Sequence, residues 1–342
     1  MQPLKIALLG LVHGHVDWVL DSARLRDDIE LVGVAEHDQA LFRRLTSKYG
    51  FGDLPRTDEA AELLERTKPD AVVVMTDIVG HRAALAAAAD AGLAALVERP
   101  LDFDLDHALS LARVAREREL SILTHYETAH YPAIRAAADH LHSGDLGELS
   151  RLRIRAGHQG PAALGCAPSF LKWLLDSERG GGAMVDFACF GVHLALWLVG
   201  RPPQRVTAST QSIWPEEHRG VDDQATLLLD FDRVQAVVEA SWCWPNPVKD
   251  VELIGSSGFL RTGRAGTYEI GEMDLGGPSA RHTAPPLSGS LTDAWTQLAA
   301  VARGAVPDPL YGLDLSLGVA SVLEAARQSA REGVSVTPRP WG

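Results

Sequence analysis

The chain has 342 residues, 46% of them apolar, and a formal net charge of -13. Such a length holds two domains or one large α/β unit, and such a charge excludes non-specific nucleic-acid binding and gives no pull toward an anionic membrane. Cys166, Cys189 and Cys243 form no disulfide framework and lack metal-ligand spacing, so free thiols in a reducing, cytoplasmic setting and no metal site are expected.

From the start of the chain, LKIALLG (4–10) reads as a buried strand ending in glycine rather than as a secretion signal. HVDWVLDSARL (15–25) sets Val16, Val19, Leu20 and Ala23 on one helical face. IELVGVAE (29–36) is a second strand closed by an acid, and QALFRRLTSKYG (39–50) is a helix stopped by Gly50. TDEAAELLERT (57–67) opens with Thr57 as the candidate helix cap. AVVVMT (71–76) and LAALVE (93–98) are strands on either side of the helix HRAALAAAADAG (81–92). Asp90 and Gly92 interrupt the apolar run here, so it does not read as a membrane span. FDLDHALSLARVARERE (103–119) is a helix and SILTHY (121–126) a further strand. This alternation predicts a parallel sheet with helices on both faces and ligands at the strand C-terminal ends.

Beyond about residue 145 the pattern changes. RLRIRAG (151–157), QRVTAST (204–210), DDQATLLLDF (222–231), VQAVVEASWCW (234–244) and KDVELIGSSG (249–258) read as strands of a mostly antiparallel sheet. ERGGGAMVDFACFGVHLALWLVG (178–200) reads as one helix packed on it, SARHTAPPLSG (279–289) as a polar loop, and SLGVASVLEAARQSAREG (316–333) as a closing helix. The expected organisation is a dinucleotide-binding domain over residues 1–124 and an α+β substrate and oligomerisation domain over 125–342, the final helix being free to return to the first domain.

GLVHGH (10–15) occupies the place of a dinucleotide-binding turn, but Val12 and His15 stand where second and third glycines are usual. Gly14 relaxes the turn, and His13 or His15 is placed to bond a phosphate. Glu36 ends the second strand 26 residues after Gly10. An acid there accepts ribose hydroxyls and repels a 2′-phosphate, which favours NAD; His37 beside it keeps NADP open.

Four further stretches, MTDIVGH (75–81), VERPL (97–101), YETAHYP (126–132) and GGGAMVDFACFGVHLALWLVG (180–200), complete a pattern. With the first strand and turn, it resembles the Gfo/Idh/MocA family of NAD(P)-dependent oxidoreductases, which includes inositol, glucose–fructose and dihydrodiol dehydrogenases. The resemblance implies a Rossmann-type domain followed by an antiparallel-sheet domain. It places Thr76, Asp77 and His81 on the family's T-P-x-x-x-H segment beside the cofactor, with Asp77 in place of the proline. It places Glu98, Arg99 and Pro100 on the E-K-P segment, with Arg99 in place of the lysine that reaches the substrate hydroxyl. Arginine polarises an oxygen but does not readily shuttle a proton; the alternative for Arg99 is an ordinary ion-pair arginine.

On the family's D-x-x-x-H-x-x-D helix, the positions fall on Asp186, Phe190 and His193, expected on one helical face. Phe190 takes the place of the proton-accepting histidine and is expected to meet substrate. The candidates for the missing base are His193 and His130, with Asp186 orienting water or substrate. A hydrogen-bonded core histidine is the alternative for His193. Tyr126 and Tyr131 are expected at the substrate, His125 is left open, and Trp173, Trp242, Trp244, Arg281 and His282 are weaker candidates for the cleft wall.

The leading expectation is therefore hydride transfer between a nicotinamide cofactor and a sugar, polyol or related hydroxyl or carbonyl compound. Two alternatives are an NAD-assisted lyase or glycoside-cleaving enzyme with no net hydride transfer, and a non-catalytic nucleotide-binding sensor or scaffold. The expected partners are a carbohydrate-like small molecule and further copies of the chain, joined through the C-terminal sheet.

Overall fold

Two sheets organise the chain in this computed structural model, which describes residues 2–272 and 279–342. The first sheet holds β1 (Leu4–Leu9), β2 (Ile29–Ala35), β3 (Arg56–Thr57), β4 (Ala71–Val74), β5 (Ala94–Glu98) and β6 (Ile122–His125). All its pairings are parallel, in the order β3-β2-β1-β4-β5-β6. Strand alternation serves two cores: β1 sends Leu4, Ile6 and Leu8 to one face and Ala7 and Leu9 to the other. Helices α1 (Val16–Arg24) and α2 (Gln39–Tyr49) cover the first face. Helices α3 (Ala60–Thr67), α4 (His81–Asp90) and α5 (Leu105–Glu117) cover the second.

Thr57 does not cap α3. It ends the short edge strand β3, and its hydroxyl donates to the Glu59 carbonyl at 2.8 Å; the helix starts at Ala60 without a side-chain cap. Pairing of Ala35 with Thr57 at the sheet edge claims the residue before the helix begins.

The second sheet follows α6 (Pro132–Ser143), which the sequence reading did not anticipate. Its first strand is β7 (Leu149–Gly157), succeeded by α7 (Pro168–Leu174) and α8 (Cys189–Val199). The remaining strands are β8 (Arg205–Gln211), β9 (Gln224–Phe231), β10 (Val234–Ser241), β11 (Val248–Gly255), β12 (Gly258–Thr262), β13 (Thr267–Glu272) and β14 (Ser279–Thr283). The order is β14-β13-β12-β11-β7-β10-β9-β8, and only the β7–β10 pairing among the described residues is parallel. Residues 279–283, expected in a loop, form β14 because Tyr268 and its neighbours on β13 offer an open edge.

The segment expected as one helix over 178–200 is broken. A π-helical turn (Met184–Ala188) precedes α8, so Asp186 is not on a regular α-helical face with Phe190 and His193. The apolar stretch Ser177–Val199 is long enough to cross a membrane, yet 89% of its most apolar window is buried inside the protein, against the second sheet. Its hydropathy is that of a core element. Helices α9 (Ala294–Ala302) and α10 (Leu313–Glu332) complete the fold. On α10, Leu317 and Ala320 join the first-domain core, and Glu324 accepts from the Leu105 amide at 3.1 Å, so the last helix does return to the parallel sheet.

Close approach of α8 to β10 depends on Gly191, where an added Cβ would stand 2.3 Å from Val238 Cγ1. Gly191→Ala is expected to destabilise the fold by about 1–3 kcal/mol, measured by chemical denaturation.

Candidate active site

Parallel topology brings the strand C-terminal ends to one edge, where a cleft of about 810 Å³ opens beside β1, β2 and β4. Gly10, Val12, Glu36, His37, Thr76 and Asp77 line it from the first domain, and Lys172, Trp173 and Arg179 from the second. Gly10 has φ +82°, and a Cβ there would lie 2.5 Å from Thr76 Cγ2, so the turn passes β4 only without a side chain. The Val12 and His13 amides both donate to the Met75 carbonyl at 3.0 Å, which anchors the turn to the strand end. Glu36 is buried and holds the turn as well: Oε2 accepts from the Leu11 amide and Oε1 from the Asp38 amide, each at 2.9 Å. His37 is exposed, 3.4 Å from Glu36 Oε1.

Asp77 explains its place in the segment where a proline was expected. Its Oδ1 accepts from the Gly80 amide at 2.9 Å at the start of α4, and its Oδ2 pairs with Arg179 across the cleft. His81 is buried, with Nδ1 donating to the Leu101 carbonyl at 3.1 Å; burial lowers its pKa, so the neutral ring braces the bend after β5. The Arg99–Pro100 peptide in that bend is cis.

Arg99 leaves this bend and reaches into the second domain. Its Nη1 donates to Asp186 Oδ1 at 2.6 Å and to the Asp186 carbonyl at 2.7 Å. Both side chains are 6% exposed, and the Trp242 indole donates to Asp186 Oδ2 at 2.9 Å. Burial alone would raise the Asp186 pKa, but Arg99 and the Trp242 indole, among its partners, together outweigh it and the carboxyl is held below its ordinary value. The guanidinium lies 4.7 Å from the centre of the Phe190 ring. Lys249 of β11 lies 4.2 Å from the same ring and ion-pairs with Glu127, which also accepts from the Tyr131 hydroxyl. Glu127, Tyr131, His158, Phe187 and Lys249 line a second cavity of about 610 Å³.

A separate cluster surrounds Glu98, the last residue of β5. Sheet register sets it beside His125, the last residue of β6, and His125 Nδ1 donates to Glu98 Oε1 at 2.6 Å. His15 Nδ1 lies 3.1 Å and His13 Nε2 4.0 Å from Glu98 Oε2. Burial favours protonation of this carboxyl, yet His15 and His125 hold it well below the ordinary carboxylate range. Burial also holds His13 neutral.

The structure does not place the expected bases at the cleft. His193 is 1% exposed, donates from Nε2 to the Leu310 carbonyl at 2.8 Å and stacks on Tyr126 at 3.9 Å. Burial lowers its pKa to about 3, so it is a neutral core histidine. Tyr126, expected at the substrate, is fully buried with it, its ring edge toward Phe190. In His130 both ring nitrogens are engaged, Nδ1 with the Leu291 carbonyl and Nε2 with the Tyr311 hydroxyl. Of the tryptophans, Trp173 walls the first cleft and Trp242 is buried on Asp186, while Trp244 packs over Gly157. Arg281 lines a different groove with Arg153 and Arg261, and His282 stacks on Tyr268. Sequence reasoning missed Lys249, Glu127 and His158. Lys249 and His158 lie in strand or turn stretches with no motif around them, and Glu127 lies inside YETAHYP, where the aromatic residues and His130 carry the stronger signal.

Two family models match the chain: an oxidoreductase family with an NAD-binding Rossmann fold over residues 4–126, and the Gfo/Idh/MocA C-terminal domain over residues 134–261. The chain belongs to the Gfo/Idh/MocA family. A trans-1,2-dihydrobenzene-1,2-diol dehydrogenase of Macaca fuscata fuscata is 26% identical over 66% of this chain and 64% of its own length, so the match spans less than two thirds of that relative. A D-apiose dehydrogenase of Paraburkholderia graminis is 26% identical over 91% of this chain and 83% of its own. Among solved structures, an inositol dehydrogenase homolog of Azotobacter vinelandii, in complex with NADH and myo-inositol, superposes with a TM-score of 0.79 at 21% identity, covering 98% of each chain. That likeness establishes the fold.

Glu127 links the site to stability. Burial raises its pKa, but Lys249 and further partners prevail and bring it from 4.5 to about 2. A depressed folded value means stability that is fully present above the unfolded pKa and is lost as the pH falls through the folded one. Glu127→Gln is therefore expected to be less stable than the native chain above pH 4.5, the difference closing toward pH 2, as read by denaturation at a series of pH values.

Proposed function

We propose that this chain is an NAD-dependent oxidoreductase that passes hydride between the nicotinamide and a carbon bearing a hydroxyl or carbonyl group on a sugar or polyol. The observation that carries the reading is the cleft at the parallel sheet's C-terminal edge, bounded by Gly10, Glu36 and Thr76 and running to the second domain at Trp173 and Arg179. These residues fit a dinucleotide: the glycine leaves backbone accessible, and Glu36 offers further lone pairs to ribose hydroxyls beyond the two amides it already accepts. A 2′-phosphate would meet this buried carboxylate, which favours NAD over NADP. The dehydrogenase names of the curated relatives and the ligands of the Azotobacter structure agree with this assignment.

NAD supplies the hydride acceptor when bound. The chain supplies charge and proton handling. Arg99, permanently charged and held by Asp186, steadies an oxygen without exchanging its proton. Lys249 is the group placed to move one: it stands beside Phe190, where relatives of the family carry a histidine, and Glu127 orients it.

Fluorescence titration of nucleotide-stripped protein tests the cofactor reading. Saturable NADH binding that exceeds NADPH binding, and that weakens about tenfold or more in Glu36→Ala, is expected; binding of neither nucleotide overturns the proposal. For the proton carrier, Lys249→Met is expected to lower kcat by about 10²-fold or more with the NADH Kd unchanged. Retention of full turnover in that variant would remove Lys249 from the role.

A further inference from the structure

We propose that His13, His15 and Glu98 form a binding site for one divalent transition-metal ion, with Zn²⁺ the species its donors suit best. His13 Nε2, His15 Nδ1 and Glu98 Oε2 all lie within 4.8 Å of one another. His13 is 2% exposed and Glu98 0%, and none of the three atoms has a hydrogen-bond partner among the described residues. That is costly for buried polar atoms unless a ligand engages them. His15 Nδ1 and Glu98 Oε2 are within 3.1 Å, yet they are not aligned as donor and acceptor. Three ligand-type atoms thus lie close together with none of them satisfied by another group among the described residues. Tetrahedral zinc, with bonds of about 2.0–2.1 Å, holds its ligand atoms about 3.3 Å apart. The present separations of 3.1 Å and 4.0 Å about Glu98 Oε2 bracket that value, so ligation requires His13 to move inward.

The donor set and its surroundings suit a chemically active ion. Two imidazoles and one carboxylate leave a fourth position open, as catalytic zinc sites do. The His15 side chain is 32% exposed, so this position is open to solvent, and the His13 ring lies 6.0 Å from that of Trp173, a wall of the cleft. His125 fixes the other carboxylate oxygen at 2.6 Å and is itself stacked on Trp18 at 5.1 Å, an outer-shell support of the kind that orients metal ligands. Arg99 adds positive charge near His13, but Asp186 neutralises it. Ligation has one cost: His13 Nδ1 accepts from the His15 amide at 3.1 Å, and moving the ring proton from Nε2 to Nδ1 gives up that contact.

The existence of the site stands on these residues alone. Its role, a Lewis acid on the substrate oxygen, rests on the proposed oxidoreductase function. The test uses tag-free, chelator-treated full-length protein titrated with Co²⁺, whose visible absorption reports nitrogen and oxygen ligation. Saturation at one Co²⁺ per chain, displacement by Zn²⁺, and an affinity loss of about 10²-fold or more in His13→Ala and in His15→Ala are expected. Circular dichroism checks that both variants fold. Absence of saturable binding in the native chain, or unchanged binding in both variants, overturns the site. NADH titration of the same samples separates the two readings: NADH binding without Co²⁺ binding removes only the metal site, and the reverse removes only the cofactor assignment.

Discussion

A guanidinium and a carboxylate buried together join the two halves of this molecule. Arg99 comes from the bend after the parallel sheet and Asp186 from the π-helical turn of the second domain, and each is 6% exposed. Two charges withdrawn from water are tolerated only if geometry and further hydrogen bonds compensate for lost hydration. Here the Asp186 carbonyl and the Trp242 indole provide those bonds, and the Phe190 ring faces the cation. Separation of the domains at this point would leave both charges without their partners. The pair therefore fixes the two domains against each other at the site, and the Asp77–Arg179 pair makes a second tie at the cleft.

This pair also accounts for the altered chemistry of the site. Lysine at position 99 would be free to exchange a proton; arginine bound to Asp186 is a fixed charge. Phe190 covers that charge, and the other polar groups near it reach in from elsewhere, Lys249 from β11 and the histidines around Glu98. Glu98 follows the opposite logic from Asp186. It is completely buried and has no guanidinium partner among the described residues, so His15 and His125 keep it ionised. A carboxylate held that way retains an oxygen for another ligand.

Much of the first domain was legible because a parallel sheet buries strands on both faces and leaves continuous apolar runs such as AVVV and LLG. Gly10 and Glu36 were legible for a related reason: a turn that must pass Thr76 and an acid at the second strand end are local requirements. The second domain was less so. The π turn at Asp186 comes from packing, since the residues of 184–199 are apolar enough to continue one helix. β14 forms only because β13 presents an edge to it. His193 has the composition of a catalytic residue and the position of a core one, and only burial beneath Tyr126 distinguishes them.

By itself, then, the sequence determined the succession of most strands and helices along the first domain, the place of the nucleotide turn and the family, since each depends on contacts between near neighbours or on spacing along the chain. Tertiary structure decided which polar groups meet. Glu127 and Lys249 are 122 residues apart and Arg99 and Asp186 are 87 apart. The charge and proton inventory of a site is set by such long-range pairings, because hydration lost on burial is recovered only from groups that the fold brings alongside.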